Sequence, residues 1–102
     1  INNGYLGMVR QWQDIFYNKR YSGTPLFNPD FVKVAEAYGI PGRAITRKED
    51  VYQAIKEAQA TDGPFLLDFQ VDELTNVFPM VAAGGSNVDM IRRPLPSTEV
   101  DD

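Results

Sequence analysis

The sequence predicts an α/β fold, a partial parallel sheet with flanking helices, and three observations predict it. Two segments, Gly42–Ile45 and Pro64–Val71, read as strands with a helical pattern between them. Strand, helix, strand in that order is the unit of a parallel sheet. The second segment contains Phe65-Leu66-Leu67, apolar at successive positions, as in a strand covered on both faces. A third trace of the sheet stands at the start: Ile1 runs into Asn2-Asn3-Gly4, which reads as the last residue of a strand entering a turn.

The elements follow in order. From Tyr5 to about Tyr17, Leu6, Val9, Trp12, Ile15 and Phe16 recur at spacings of three and four, with Arg10, Gln13 and Asp14 mostly elsewhere on the wheel. Lys19 to Phe27 contains Ser22, Gly23 and Pro25 and reads as a loop. The next helix has Asn28 as N-cap and Pro29 at its first position, where a missing N–H is no loss. Phe31, Val34, Ala35 and Tyr38 give it an apolar face, Gly39 suits a left-handed C-terminus, and Pro41 blocks continuation. After the first strand, Thr46-Arg47-Lys48-Glu49 has the form of a capping box. The helix it opens runs through Val51, Ile55 and Ala58 and stops near Asp62-Gly63.

Composition narrows the function. A chain of 102 residues allows one domain at most. With 43% apolar and 24% charged residues it is neither disordered nor collagen-like. A net charge of −4 speaks against a non-specific nucleic-acid binder. With no Cys and no His, the chain alone builds neither a disulfide scaffold, a thiol nucleophile, a Ser-His-Asp triad nor a His-ligated metal site. No apolar run reaches the length of roughly 18 residues that a spanning helix needs. Ile1 follows neither a basic nor an apolar leader and does not read as a signal peptide. The missing first strand suggests a chain that begins inside a larger protein. A parallel sheet stripped of one edge would expose apolar surface unless a partner covers it. Residues 1–91 read as the domain and 92–102, with Pro94, Pro96 and Glu-Val-Asp-Asp, as an exposed flexible tail.

In open α/β sheets, ligands bind at the carboxyl ends of the strands, where Asn2-Asn3-Gly4 lies. An Asn carboxamide oxygen is a hard neutral donor suited to magnesium, and the free N–H groups of a helix start favour anions. Gly4 and Gly7 would let backbone approach a ligand. The alternative is that Asn-Asn-Gly is only a turn and helix cap. Asp68, Asp72 and Glu73 can be read as paired carboxylates, but a buried or solvated structural role is preferred. The basic pairs Lys19-Arg20, Arg47-Lys48 and Arg92-Arg93 are scattered and read as solvated faces.

The string Asn2-Asn3-Gly4-Tyr5-Leu6-Gly7-Met8-Val9-Arg10-Gln11-Trp12-Gln13 closely resembles a segment of the acetolactate synthase catalytic subunit, within the thiamine diphosphate-dependent enzymes. The cofactor motif of those enzymes opens with Gly-Asp-Gly and closes with Asn-Asn, and this chain begins at the closing pair. Asn28-Pro29-Asp30-Phe31-Val32-Lys33-Val34-Ala35-Glu36-Ala37-Tyr38-Gly39 resembles that family's next helix. Asn76-Val77-Phe78-Pro79-Met80-Val81 with Ala82-Ala83-Gly84-Gly85 resembles its C-terminal signature. The Asn-Asn pair marks only the superfamily; Met8-Val9-Arg10-Gln11-Trp12 points to acetolactate synthase.

The resemblance implies the C-terminal part of a thiamine diphosphate-binding domain, with these roles. Asn3 binds Mg2+ through its side chain and Tyr5 through its backbone carbonyl. Leu6, Gly7, Met8 and Val9 line the cofactor, and Met8 lies beneath its thiazolium ring and helps hold it bent. Met8, Val9 and Trp12 form the substrate pocket. There, the indole separates 2-ketobutyrate from pyruvate by packing one methylene, worth about 1–3 kcal/mol. Read from the residues alone, Trp12 is a core tryptophan on an amphipathic helix. Ala83 falls in the segment that folds over the active-site channel in the family. Ala82 stands where the family often has Pro, and Ala83 where it often has a small polar residue.

The implied reaction condenses two 2-ketoacids with loss of CO2 in branched-chain amino acid biosynthesis. No catalytic residue is implied in this chain: the Gly-Asp-Gly aspartate and the family's activating Glu lie outside it, so the chain alone is expected to be inactive. FAD belongs to the family through a domain outside this chain. The expected partners are the rest of the catalytic subunit, in a homodimer or tetramer, and a small regulatory subunit, with no nucleic acid or membrane. The implied location is the bacterial cytoplasm, or a plastid or mitochondrion in a eukaryote. Two other readings stand beside this one: another thiamine diphosphate-dependent carboligase or decarboxylase, and a stand-alone α/β binding module.

Overall fold

The computed structural model describes residues 1–94. The part of the predicted tail from residue 95 onward lies outside them. Helix α1 spans Gly7–Phe16, α2 Phe31–Ala37 and α3 Val51–Ala60; strand β1 spans Gly42–Ile45 and β2 Leu66–Phe69. Short 3-10 turns cover Lys48–Asp50 and Asn87–Asp89.

The predicted parallel sheet is present. β1 and β2 pair in parallel, with Gly42 opposite Leu66 and Ile45 opposite Phe69. On the other edge of β2, Asn2 makes a parallel bridge to Gln70. Its N–H donates to the Phe69 carbonyl at 2.8 Å, and its own carbonyl accepts the Val71 N–H at 2.9 Å. The amides of Leu66, in β2, and of Gln70, just after it, turn the other way: Leu66 N–H reaches Pro41 O and Gln70 N–H reaches Ile45 O. β2 is therefore the central strand, and the Ile1-Asn2 segment holds a strand position as its sequence suggested.

Helices α2 and α3 pack on this pair. The buried apolar core is small: Ala35 from α2, Ile45 from β1 and Ala54 from α3. Gly42 marks the close approach of α2 to the sheet, since a Cβ there would sit 3.3 Å from the Leu66 carbonyl oxygen and 3.5 Å from Val32 Cγ1. The predicted C-terminus of α2 is found, with Gly39 at φ +73°.

Both predicted N-terminal caps are corrected. The cap of α2 is Asp30, whose Oδ1 accepts the Lys33 N–H at 3.1 Å, and Pro29 lies outside the helix. Asn28 is not free to cap because its amide donates to Asn2 Oδ1 at 3.2 Å. At α3, Thr46 caps nothing. The backbone stays extended through Arg47, so the 3-10 turn opens one residue later than the capping box requires. Glu49 instead faces the Arg47 guanidinium, 3.5 Å away.

The face of α1 is also corrected. Its buried residues are Arg10 and Gln11, each about 1% exposed, while Leu6, Met8, Val9, Trp12 and Phe16 face outward. The physical reason is what lies under the helix. α1 covers no strand of the sheet; it rests on irregular backbone at 20–26 and 76–80, whose peptide groups need polar partners. The radius of gyration is 18.5 Å, against about 13 Å for a compact chain of this length.

Candidate functional site

Asn2-Asn3-Gly4 turns sharply off the sheet edge. Asn2 Oδ1 accepts the Gly4 N–H at 3.1 Å, and Asn3 Oδ1 accepts the Tyr5 N–H at 3.2 Å. Gly4 has φ +71°, a conformation costly for a side chain. The pair does not cap α1: the N-cap is Leu6, with no side-chain acceptor, and the first helical bond runs from Arg10 N–H to the Leu6 carbonyl. The Tyr5 carbonyl thus lies one residue outside the helical ladder.

Tyr5 is bridged antiparallel to Pro25. The bonds flank it: Leu6 N–H to Thr24 O at 2.9 Å and Leu26 N–H to Gly4 O at 2.8 Å. In a bridge of this kind the central residue's own N–H and C=O point away from the partner. The Tyr5 N–H does so, reaching Asn3 Oδ1, and the carbonyl shares that side. Two of the sequence-predicted metal donors, the Asn3 carboxamide and the Tyr5 carbonyl, are therefore brought to one edge of one turn. A carboxamide oxygen has two lone pairs, so one remains after the bond to Tyr5. Gly7 completes the cradle: a Cβ there would lie 2.8 Å from Asn3 Nδ2.

Beside this turn, an open cleft of about 710 Å³ is lined by Asn2, Asn3, Gly4, Asn28, Asp30, Asp68, Asp72 and Glu73, among others. It lies at the carboxyl end of β2, where ligands of open α/β sheets bind. Asp68 is buried and accepts from Asn2 Nδ2 at 3.4 Å, which ties the turn to β2. Asp72 is exposed; the Thr75 hydroxyl donates to its carboxylate and holds it below the usual carboxylate range. Among the described residues, no group of three His, Cys, Asp or Glu side chains is placed to hold a metal. These acids hold structure and cleft charge, as the preferred sequence reading had them.

The predicted pocket residues Met8, Val9 and Trp12 lie on the outward face of α1, and Leu6, predicted to line the cofactor, is exposed at its N-cap. The Trp12 ring tilts against Phe16 with centroids 4.9 Å apart. Trp12 is no core residue of this chain.

Sequence reasoning missed the opposite face of α1. The Arg10 guanidinium sits against both the Tyr5 and Tyr21 rings, 5.6 and 5.7 Å from their centroids, and the two rings meet edge-on with centroids 6.0 Å apart. It donates to Asn76 Oδ1 at 2.6 Å and stands 3.8 Å from Asp14. The Asn76 amide in turn donates to Asp14 at 2.6 Å. Gln11 pairs with the backbone of Val77 on both sides, accepting its N–H at 2.7 Å and donating to its carbonyl at 2.9 Å. The available signal was indirect: Val77-Phe78-Pro79 has neither strand nor helix pattern, so its peptide groups must find partners elsewhere.

Fold and site together define an α/β module with an open polar cleft and a tight Asn-Asn-Gly turn at the carboxyl end of a parallel sheet. The particular family is narrower. Residues 1–69 match the model of the thiamine pyrophosphate enzyme C-terminal TPP binding domain, and the chain belongs to that family. The chain is 49% identical over 94 residues to the acetolactate synthase isozyme 2 large subunit of Escherichia coli, covering 91% of this chain and 17% of that one. It is 48% identical over 89 residues to the mitochondrial acetolactate synthase catalytic subunit of Saccharomyces cerevisiae, covering 87% and 13%. Among solved structures, the thiamine diphosphate-dependent 4-hydroxybenzoylformate decarboxylase of Rhodococcus jostii RHA1 superposes with a TM-score of 0.62 at 35% identity, over 71% of this chain and 14% of that one. The chain thus spans about a sixth of the length of the E. coli relative, or less in the other two.

Proposed function

We propose that this chain is the cofactor-binding C-terminal part of an acetolactate synthase, condensing two 2-ketoacids with loss of CO2. The observation that carries the reading is the edge shared by the Asn3 carboxamide and the Tyr5 carbonyl, with the Asn3 amide packed closely against Gly7. It is supported by the identity to acetolactate synthases across most of the chain.

Thiamine diphosphate, when bound, supplies the electron sink for decarboxylation and carbon–carbon bond formation. The chain's own residues bind and orient. Asn3 and Tyr5 would offer two neutral oxygens to Mg2+, a hard cation that favours oxygen donors and would supply positive charge beside a diphosphate. The cleft carries Asp30, Asp68, Asp72 and Glu73, and a diphosphate placed beside them needs positive charge in between. Leu6, Met8 and Val9 present an apolar wall that excludes water from the reacting centre. Trp12 presents a flat rigid ring to the second 2-ketoacid.

The test uses the gene product at its native length, with pyruvate, Mg2+ and thiamine diphosphate. Acetolactate and CO2 are expected together, and a chelator is expected to abolish both. Replacing Trp12 by Leu is expected to change the preference between 2-ketobutyrate and pyruvate by about tenfold or more. CO2 without acetolactate would overturn the synthase reading in favour of a decarboxylase of the same family.

A further inference from the structure

We propose that Thr24 and Gln13 are positioning residues for the metal-binding turn, and that the bond between them sets how firmly Mg2+ is held at Asn3 and Tyr5. The inference rests on the reading of that turn as the cation site.

Thr24 is a polar residue in a loop, yet it is only about 1% exposed. Its hydroxyl donates to Gln13 Oε1 at 2.8 Å. The same Gln13 side chain donates from Nε2 to the Ser22 carbonyl at 3.0 Å. One carboxamide on α1 thus holds the 22–24 stretch by both of its ends. The backbone of that stretch holds the turn: Thr24 O receives the Leu6 N–H, and Leu26 N–H reaches Gly4 O. The peptide groups on both sides of Tyr5 are therefore fixed by the loop, and the loop is fixed by Gln13. The ring closes through α1 itself, which begins directly after Leu6.

The other holds on the loop lie before Ser22: Lys19 N–H reaches Gln13 O, Arg20 N–H reaches Tyr17 O, and the Tyr21 ring packs against Tyr5 and Arg10. The loop contains no helix or regular strand, and Asn18, Lys19 and Gly23 all have positive φ. Without the Thr24–Gln13 bond, the Thr24 carbonyl loses its anchor and the Tyr5 peptide gains freedom to rotate. A carbonyl that must be re-ordered on binding gives weaker coordination than one already aimed. The effect falls on cation affinity, because neither side chain lines the cleft beside the turn.

The experiment titrates Mg2+ into the full-length gene product at saturating thiamine diphosphate, read by thermal shift and, separately, by kcat at saturating Mg2+. Thr24→Val keeps the shape and removes the donor; Thr24→Ser keeps the donor. Gln13→Met removes both bonds at a half-exposed position and decides the matter if Thr24→Val fails to fold. Loss of one such hydrogen bond predicts Mg2+ binding weaker by about three- to tenfold in Thr24→Val and Gln13→Met. Thr24→Ser is expected near the parent, and the loss is expected in Mg2+ affinity rather than in kcat. A folded Thr24→Val or Gln13→Met with parental Mg2+ affinity overturns the proposal, as does failure of Thr24→Ser to restore it. A parent protein with no Mg2+-dependent shift overturns the cation site itself, and this control separates the two failures.

Discussion

Gly7 shows how much a single residue carries at this site. It is the first residue of α1, where Ala is favoured over Gly by up to about 1 kcal/mol on helix propensity. A Cβ there meets Asn3 Nδ2 at 2.8 Å, so the Asn3 side chain would have to move. The two effects oppose, and they act on different observables. Gly7→Ala is expected to leave the unfolding temperature unchanged or raised while weakening Mg2+ and thiamine diphosphate binding by about tenfold or more. Calorimetric titration of folded variant and parent checks it, and equal affinities would remove Gly7 from the cradle. The sequence pointed to Gly7 for close backbone approach to a ligand. What it did not give was the neighbour: the space is taken by a side chain four residues back, which no spacing rule reveals.

At the scale of elements, α1 is the instructive case. Its apolar residues recur at helical spacing, and that pattern was read correctly as a helix. Periodicity defines a stripe and not the body that covers it. Here the polar side is buried, because it meets loop and strap backbone instead of a sheet. Gln11 illustrates the energetics, since it satisfies both peptide groups of Val77. Gln11→Ala leaves a donor and an acceptor of the largely exposed Val77 without that partner, at about 0.5–1.5 kcal/mol per hydrogen bond. Faster proteolytic cleavage within 72–80 is expected in the variant; an unchanged rate would mean that this segment is held by other contacts. The βαβ unit was more legible. β1 was placed to the residue, and β2 lies inside its predicted span. Apolar runs between turn residues suffice where a strand is half-covered on both faces. The two caps failed for a tertiary reason, the Asn28–Asn2 bond, and for a local one, extended backbone at Arg47.

For the whole molecule, the balance of surfaces decides behaviour. The buried apolar core comprises Ala35, Ile45 and Ala54, whereas Met8, Val9, Phe16, Tyr17 and Phe27 are exposed. A radius of gyration of 18.5 Å is that of an elongated body for this chain length. The polypeptide of residues 1–102 alone is therefore expected to unfold without a sharp transition, to bind an apolar dye and to associate. A single cooperative transition with no dye binding would instead support an independent module. The sequence already pointed this way, through a sheet with one edge stripped off. It did not disclose that the outward face of α1, with Met8, Val9, Trp12 and Phe16, would be uncovered as well.

The bridge between Asn2 and Gln70 also bears on the order in which the protein assembles. β1 and β2 are joined by a short crossover, but the Asn2 bonds to Phe69 and Val71 close almost the full span between the turn and the end of the sheet. Closing a longer loop costs more chain entropy, and non-local pairings form slowly. The amides of Gln70 and Val71 are neighbours in sequence, yet the first bonds to Ile45 and the second to Asn2. The Gln70 amide is therefore expected to gain protection from exchange first during refolding. The Asn2-Asn3-Gly4 turn would come together only after the sheet beneath it exists, which would make any ligand binding there a late event in the life of the folding chain.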